Sequence, residues 1–153
     1  MVKKNIVIFD LDGTIAIVDE RRKISTNKKG KINWSIFFNP KNIDLDKPNE
    51  PVIKILKILN KEGYKIIIVS GRLDTTKKAT ISWLSKHNIV YEKLIMRKDN
   101  NTEKFMHDEN LKEKWLKTFE KKKILCVFDD RTKVVEMWRK NNLACFQVGE
   151  GNF

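Results

Sequence analysis

The chain has 153 residues, 41% hydrophobic and 34% charged, a balance that argues against disorder and suits a single domain, 1–153, around one core. It has no run of about 18 apolar residues to span a bilayer, and the opening MVKKNIVIFD is too short in apolar residues for a secretory leader, so no membrane role is expected and the chain reads as cytoplasmic. The net charge of +12 fits phosphorylated partners without selecting one, because 26 of the 32 basic residues are Lys, interleaved with acids along the whole chain.

In chain order, the apolar run Asn5 to Phe9 ends at Asp10 and predicts a central strand buried on both faces. After Pro51, Val52, Ile55, Leu56 and Leu59 recur at helical spacing until Gly63, and Lys65 to Ser70 form a second buried strand. A helix is predicted over Thr75 to His87, a third strand over Tyr91 to Met96, and a helix striped by Leu111, Trp115 and Phe119. The strand Ile124 to Phe128, a helix presenting Val134, Val135 and Trp138, and the strand Ala144 to Val148 complete the chain. Strands alternating with helices predict an α/β fold, a parallel sheet of about five strands with helices on both faces, and a ligand site at the strands' carboxyl ends.

Those ends carry the polar residues with chemical potential. FDLDGT (Phe9 to Thr14) sets two carboxylates two residues apart at a strand end, where positions i and i+2 point the same way, so Asp10 and Asp12 can converge on one phosphate. Gly13 permits a tight turn after them. Ser70, Gly71 and Arg72 follow the second strand, and Asp129, Asp130 and Arg131 follow the fourth. Cys126 and Cys145 lie in apolar runs and read as small core residues, while His87 and His107 lack the partner spacing of a zinc site.

DLDGT, the Ser70 position, a downstream Lys and the Asp129/Asp130 pair resemble the four motifs of haloacid dehalogenase (HAD) superfamily phosphatases. From FDLDGT through VSGR and LKEKW to FDDRTKVVEMW and QVGEGNF, the chain resembles more particularly the 3′-phosphatase domain of phage polynucleotide kinase-phosphatase and its stand-alone bacterial and viral relatives. The P-loop pattern of a kinase does not occur, since Ser25 stands where its first glycine would precede Gly30 and Lys31. The resemblance implies a HAD-like Rossmannoid fold, with Asp10 as nucleophile and Asp12 as general acid and then general base. A carboxyl off the metal and near other acids is expected to hold its proton more easily than its metal-bound neighbour. It further implies Mg2+ held by Asp10, the main-chain carbonyl of Asp12, Asp129 and water, with Asp130 nearby. Ser70 and the Gly71 amide would bind phosphate oxygens, and Lys112 would face the transition state. Lys104 and Lys114 are alternatives to Lys112, which the match to ENLKEKW and its place beside Leu111 favour.

Arginine is scarce, six residues in all, and Arg21, Arg72 and Arg131 fall at or near the motifs, where a bidentate fork matters to phosphate or carboxylate. By resemblance Arg21 and Arg72 contribute to activity and are expected to contact substrate; Arg22 is a one-residue alternative to Arg21. Arg131 could bind substrate or orient the acidic pair.

Residues 17–49 form a short insertion where the superfamily places caps. Its Trp34, Phe37 and Phe38 either anchor a small helix to the core or stack on bases. So small a cap leaves the site open, which suits a polymer end. The expected substrate is a phosphorylated nucleic-acid end, with a mononucleotide or other small ester as the alternative. A phosphoacceptor signalling domain is disfavoured because Asp12 would hasten loss of the phosphoryl group, and a noncatalytic nucleic-acid-binding module leaves the paired acids unexplained. Oligomeric state has no signal in the sequence.

Overall fold

The computed structural model describes residues 1–152. Five parallel strands, β1 (Ile6–Asp10), β4 (Lys65–Leu73), β5 (Lys93–Arg97), β6 (Ile124–Asp129) and β7 (Cys145–Gln147), lie in the order β5-β4-β1-β6-β7. A separate antiparallel pair, β2 (Ala16–Ile17) and β3 (Lys47–Pro48), ties the two ends of the 17–49 segment together. Between them run α1 (Asp19–Ser25), α2 (Trp34–Phe37) and a 3-10 turn at Pro40–Leu45. The larger helices are α3 (Glu50–Lys61), α4 (Lys77–Lys86), α5 (Asp108–Leu116) and α6 (Thr132–Lys140).

Period-two alternation explains why the central strands are apolar throughout. Val7, Phe9, Ile66, Ile68, Cys126 and Phe128 enter one core with Leu56 of α3 and Trp83 and Leu84 of α4. Ile8, Ile67, Val69 and Val127 enter the other, with Leu111 and Trp115 of α5 and Val134, Val135 and Trp138 of α6. Cys126 and Cys145 are buried free thiols. At roughly 25 cal/mol per Å2 of apolar surface removed from water, these two layers supply the main drive to fold.

Several boundaries differ from the sequence reading. Phe119 lies beyond α5, because the chain turns at Thr118, whose amide and hydroxyl both donate to the Trp115 carbonyl. The segment before α4 is a 3-10 turn, Asp74–Thr76, and the third strand is shifted to Lys93–Arg97. Strand β4 continues to Leu73 with its register to β5 broken between Ser70 and Leu73, so Ser70-Gly71-Arg72 bulges at the sheet's carboxyl edge. The ends of β1, β4 and β6 are thereby neighbours, with β1 central.

Candidate active site

Two clusters of charge meet at this edge. In the first, Lys112 reaches from α5 to donate to Asp10 Oδ1 at 2.6 Å and to Asp129 Oδ2 at 2.9 Å. Trp138 Nε1 also donates to Asp129 Oδ2, at 3.2 Å, and the Thr14 hydroxyl donates to Asp10 Oδ2 at 3.1 Å. Of the three lysines weighed from sequence, Lys112 is the one buried among these acids; Lys104 pairs with Asp99 and Lys114 with Glu103. Asp130 completes the group, and Gly13 is what lets it approach: φ is +84° there, and a Cβ would meet Asp130 Oδ2 at 2.1 Å.

Asp10, Asp129 and Asp130 each offer a carboxylate oxygen, all within 4.8 Å of one another. Burial first, and then repulsion from Asp129 and Asp130, push the Asp10 carboxyl well above its usual range despite Lys112. Asp130 is raised by burial and by Asp129. Lys112 is held charged by Asp10 and Asp129 although burial opposes it. Three carboxylates against one ammonium leave negative charge uncompensated, and an all-oxygen donor set fits a hard divalent cation such as Mg2+.

The second cluster surrounds Asp12. Its Oδ1 accepts from Arg21 Nη2 at 2.8 Å and from Nε and Nη2 of Arg72. Both guanidiniums also grip Asp46: Arg21 through Nε and Nη2, each at 2.9 Å, and Arg72 through Nη2 at 2.7 Å. Arg21 further donates to the Phe37 carbonyl and lies 4.3 Å above that ring, while Arg72 donates to Thr80 Oγ1. Both arginine side chains are fully buried, and neither lines the cavity over the site. As folded, the two guanidiniums that the resemblance expects to contact substrate are paired with Asp12 and Asp46.

The Asp12 carboxyl is also not the easily protonated group expected from sequence. Burial would raise its pKa, but Arg72 and Arg21 outweigh burial and hold it below the usual carboxylate range.

Ser70 is buried and its Oγ accepts the Arg72 amide at 3.2 Å, whereas Gly71 lines the cavity. Arg131 donates through Nη1 to Asp108 Oδ2 at 2.8 Å, and its main-chain N–H donates to Asp129 Oδ1 at 3.3 Å. Asp108 opens α5 and also receives Arg97 Nη2. Arg97 in turn donates to the carbonyls of Gly71, Glu103 and Met106, fastening the segment between β5 and α5 to the β4 bulge. Asp46, Asp108, Arg97 and Thr14 were not singled out in the sequence.

A cavity of about 570 Å3 opens above both clusters. Asp10, Asp12, Lys112, Asp129 and Asp130 line it, together with Arg22 and Trp34 from the insertion and Lys104 and Phe105 from the segment before α5. Among the described residues no helix is long and apolar enough to cross a membrane.

A parallel sheet carrying DxDGT, a buried lysine and a paired acid at its carboxyl edge defines a phosphatase of the HAD superfamily. The chain belongs to the family of the polynucleotide kinase PNKP phosphatase domain, whose model matches residues 4–153. It is 31% identical over 137 residues to a putative bifunctional polynucleotide kinase/RNA ligase of Autographa californica nuclear polyhedrosis virus, covering 87% of this chain and 17% of the viral protein. A chain in the solved Pnkp1/Rnl/Hen1 RNA repair complex superposes with a TM-score of 0.78 at 33% identity, over 96% of this chain and 43% of that one. A predicted phosphatase from Clostridium acetobutylicum, 14% identical with a TM-score of 0.71 over 95% of this chain and 85% of that one, shares the fold. The chain thus spans less than half the length of the viral protein and of the repair-complex chain it matches.

Proposed function

We propose that the protein is a Mg2+-dependent phosphomonoesterase that removes 3′-phosphate from DNA or RNA ends through an aspartyl-phosphate on Asp10. The observation that carries the chemistry is the pairing of two differently charged carboxylates on one turn of chain, Asp10 in an electron-rich cluster and Asp12 in an arginine clamp. Asp10, Asp129 and Asp130, with the Asp12 carbonyl, would hold the cation, which when bound supplies charge compensation for Asp10 and for the substrate's phosphate.

Asp10 Oδ attacks phosphorus and the ester oxygen leaves, taking a proton from Asp12. Since Arg21 and Arg72 hold Asp12 below the usual carboxylate range, its proton comes from the monoanion of the phosphate ester: the phosphate P–OH gives its proton to Asp12 on binding, the resulting dianion raises Asp12, and the same proton then passes to the leaving oxygen. Asp12 then returns to its preferred ionised form and accepts a proton from the water that hydrolyses the aspartyl-phosphate, so the clamp favours the second half-reaction. Lys112 and the Gly71 amide face the charge that develops on the transferring group.

Two supports favour a polynucleotide end as substrate: the family membership, and a cavity open toward cationic side chains of a chain of net charge +12. A 3′-phosphorylated oligonucleotide should be hydrolysed with higher kcat/KM than the matching 3′-mononucleotide at equal base and metal concentration, because neighbouring phosphates meet Lys and Arg outside the site. That advantage should shrink as salt rises. A mononucleotide turned over as well at low salt would make the protein a phosphatase of small esters instead.

A further inference from the structure

The aromatic residues of the insertion divide into two kinds. Phe37 is buried, packs edge-on against Phe38 and carries the Arg21 guanidinium on its face, so it anchors the insertion. Trp34 stacks on Phe38 with ring centroids 5.6 Å apart, yet remains 57% exposed and lines the cavity. Asn33 caps the short helix, its Oδ1 accepting the amides of Ser35 and Ile36, so Trp34 is carried on a braced turn. From a different segment Phe105 enters the same cavity lining and is 81% exposed, next to Lys104. Leaving two large rings in water forgoes the burial that would otherwise stabilise the fold.

Resting on the 3′-phosphatase reading, we propose that Trp34 and Phe105 bind the unpaired nucleobase of the terminal nucleotide whose 3′-phosphate occupies the floor at Asp10. The same cavity is lined by the phosphate-reactive acids at its base and by these rings with Arg22 and Lys104, the combination of π-faces and cations that suits single-stranded nucleic acid. Its volume is far more than a phosphate group requires. Stacking on a ring face is indifferent to which base is offered, since every base has a π-face, so the site senses that a base is present and unpaired without reading its identity.

The test crosses a ring on the protein with a base on the substrate. Two oligonucleotides of equal length carry a 3′-phosphate, one on a normal terminal nucleotide and one on a tetrahydrofuran sugar lacking the base. Trp34→Ala should lower kcat/KM about tenfold more on the base-bearing end than on the abasic end. Phe105→Ala should show the same pattern, and Trp34→Phe, which keeps a ring, should recover most of the difference. Equal losses on the two substrates, or no loss on either, would overturn the proposal. Because both substrates have the same length, the result is independent of the oligonucleotide-against-mononucleotide comparison: a wild-type protein that prefers oligonucleotides while its ring variants ignore the base contradicts base stacking alone. Absence of any 3′-phosphatase turnover in the wild type would remove both readings together.

Discussion

Asp10 and Asp12 are two residues apart, yet the clusters they join are opposites in charge balance. Around Asp10 three carboxylates share one ammonium; around Asp12 two carboxylates share two guanidiniums. The first holds more carboxylates than ammonium groups, and the second holds as many guanidiniums as carboxylates. A strand end that turns on Gly13 can therefore supply one carboxyl to a metal and another to proton transfer, with the difference set by neighbours from distant parts of the chain.

The largest expected effect breaks the first cluster's chemistry. Asp10→Asn should lower turnover on the order of 10⁴-fold or more, since it removes the attacking oxygen, while circular dichroism and the unfolding transition remain those of a folded protein. Chelating divalent metal should do the same to the wild type, with Mg2+ restoring activity and zinc a poor substitute; activity that survives chelation would contradict the charge argument.

Next comes the completed cluster. Asp46→Asn leaves two fully buried guanidiniums short of an acceptor oxygen. Burial already raises the Asp46 carboxyl against the pull of both arginines, so losing its charge costs little and the lost hydrogen bonds dominate, about 2 kcal/mol and a fall in Tm of roughly 6 °C for a domain of this size. It should also lower kcat, because Asp12 loses the bracing of both arginines. Thermal unfolding and steady-state kinetics on the same preparation check both; a variant with unchanged Tm would mean that Asp46 is dispensable to the clamp.

Much of the first cluster is legible in the sequence because its acids lie at strand ends, where apolar runs stop at an acid: NIVIF before Asp10 and ILCVF before Asp129. The sheet is legible for the same reason, as alternation on doubly buried strands leaves long apolar stretches. Asp46 is not, because it sits in an irregular turn between Leu45 and Lys47, and only the tertiary fold brings it to Arg21 and Arg72. Arg21 and Arg72 attract notice by their scarcity, but scarcity says that a fork is needed and not which partner it holds. The same scarcity marks Arg97, which ends β5 and fastens the segment leading to Asp108. Boundaries such as the end of α5 before Phe119 depend on a side-chain bond from Thr118 that periodicity does not register.

The smallest effect sharpens the contrast most, because it reverses the usual sign of a mutation at a buried polar site. Asp130 is buried, and the Thr14 hydroxyl reaches its Oδ1 at 3.4 Å; burial and Asp129 raise its pKa above the ordinary value of 3.8. A carboxyl whose folded pKa is raised costs no stability while protonated in both states, and destabilises the fold progressively as pH rises above the unfolded value. Without metal, Asp130→Asn should therefore raise Tm near neutral pH by about 2–4 °C if the relief is on the order of 1 kcal/mol, and the gain should vanish toward pH 4. Added Mg2+ should invert the order, since a cation that binds only the native state stabilises it in proportion to its affinity, and the variant offers one fewer anionic oxygen. Thermal unfolding of both proteins with and without Mg2+, at two pH values, reads all four corners. A variant less stable than wild type in the absence of metal would show that the acid cluster is already balanced, as the arginine cluster is, and would remove the electrostatic reason for a cation at Asp10.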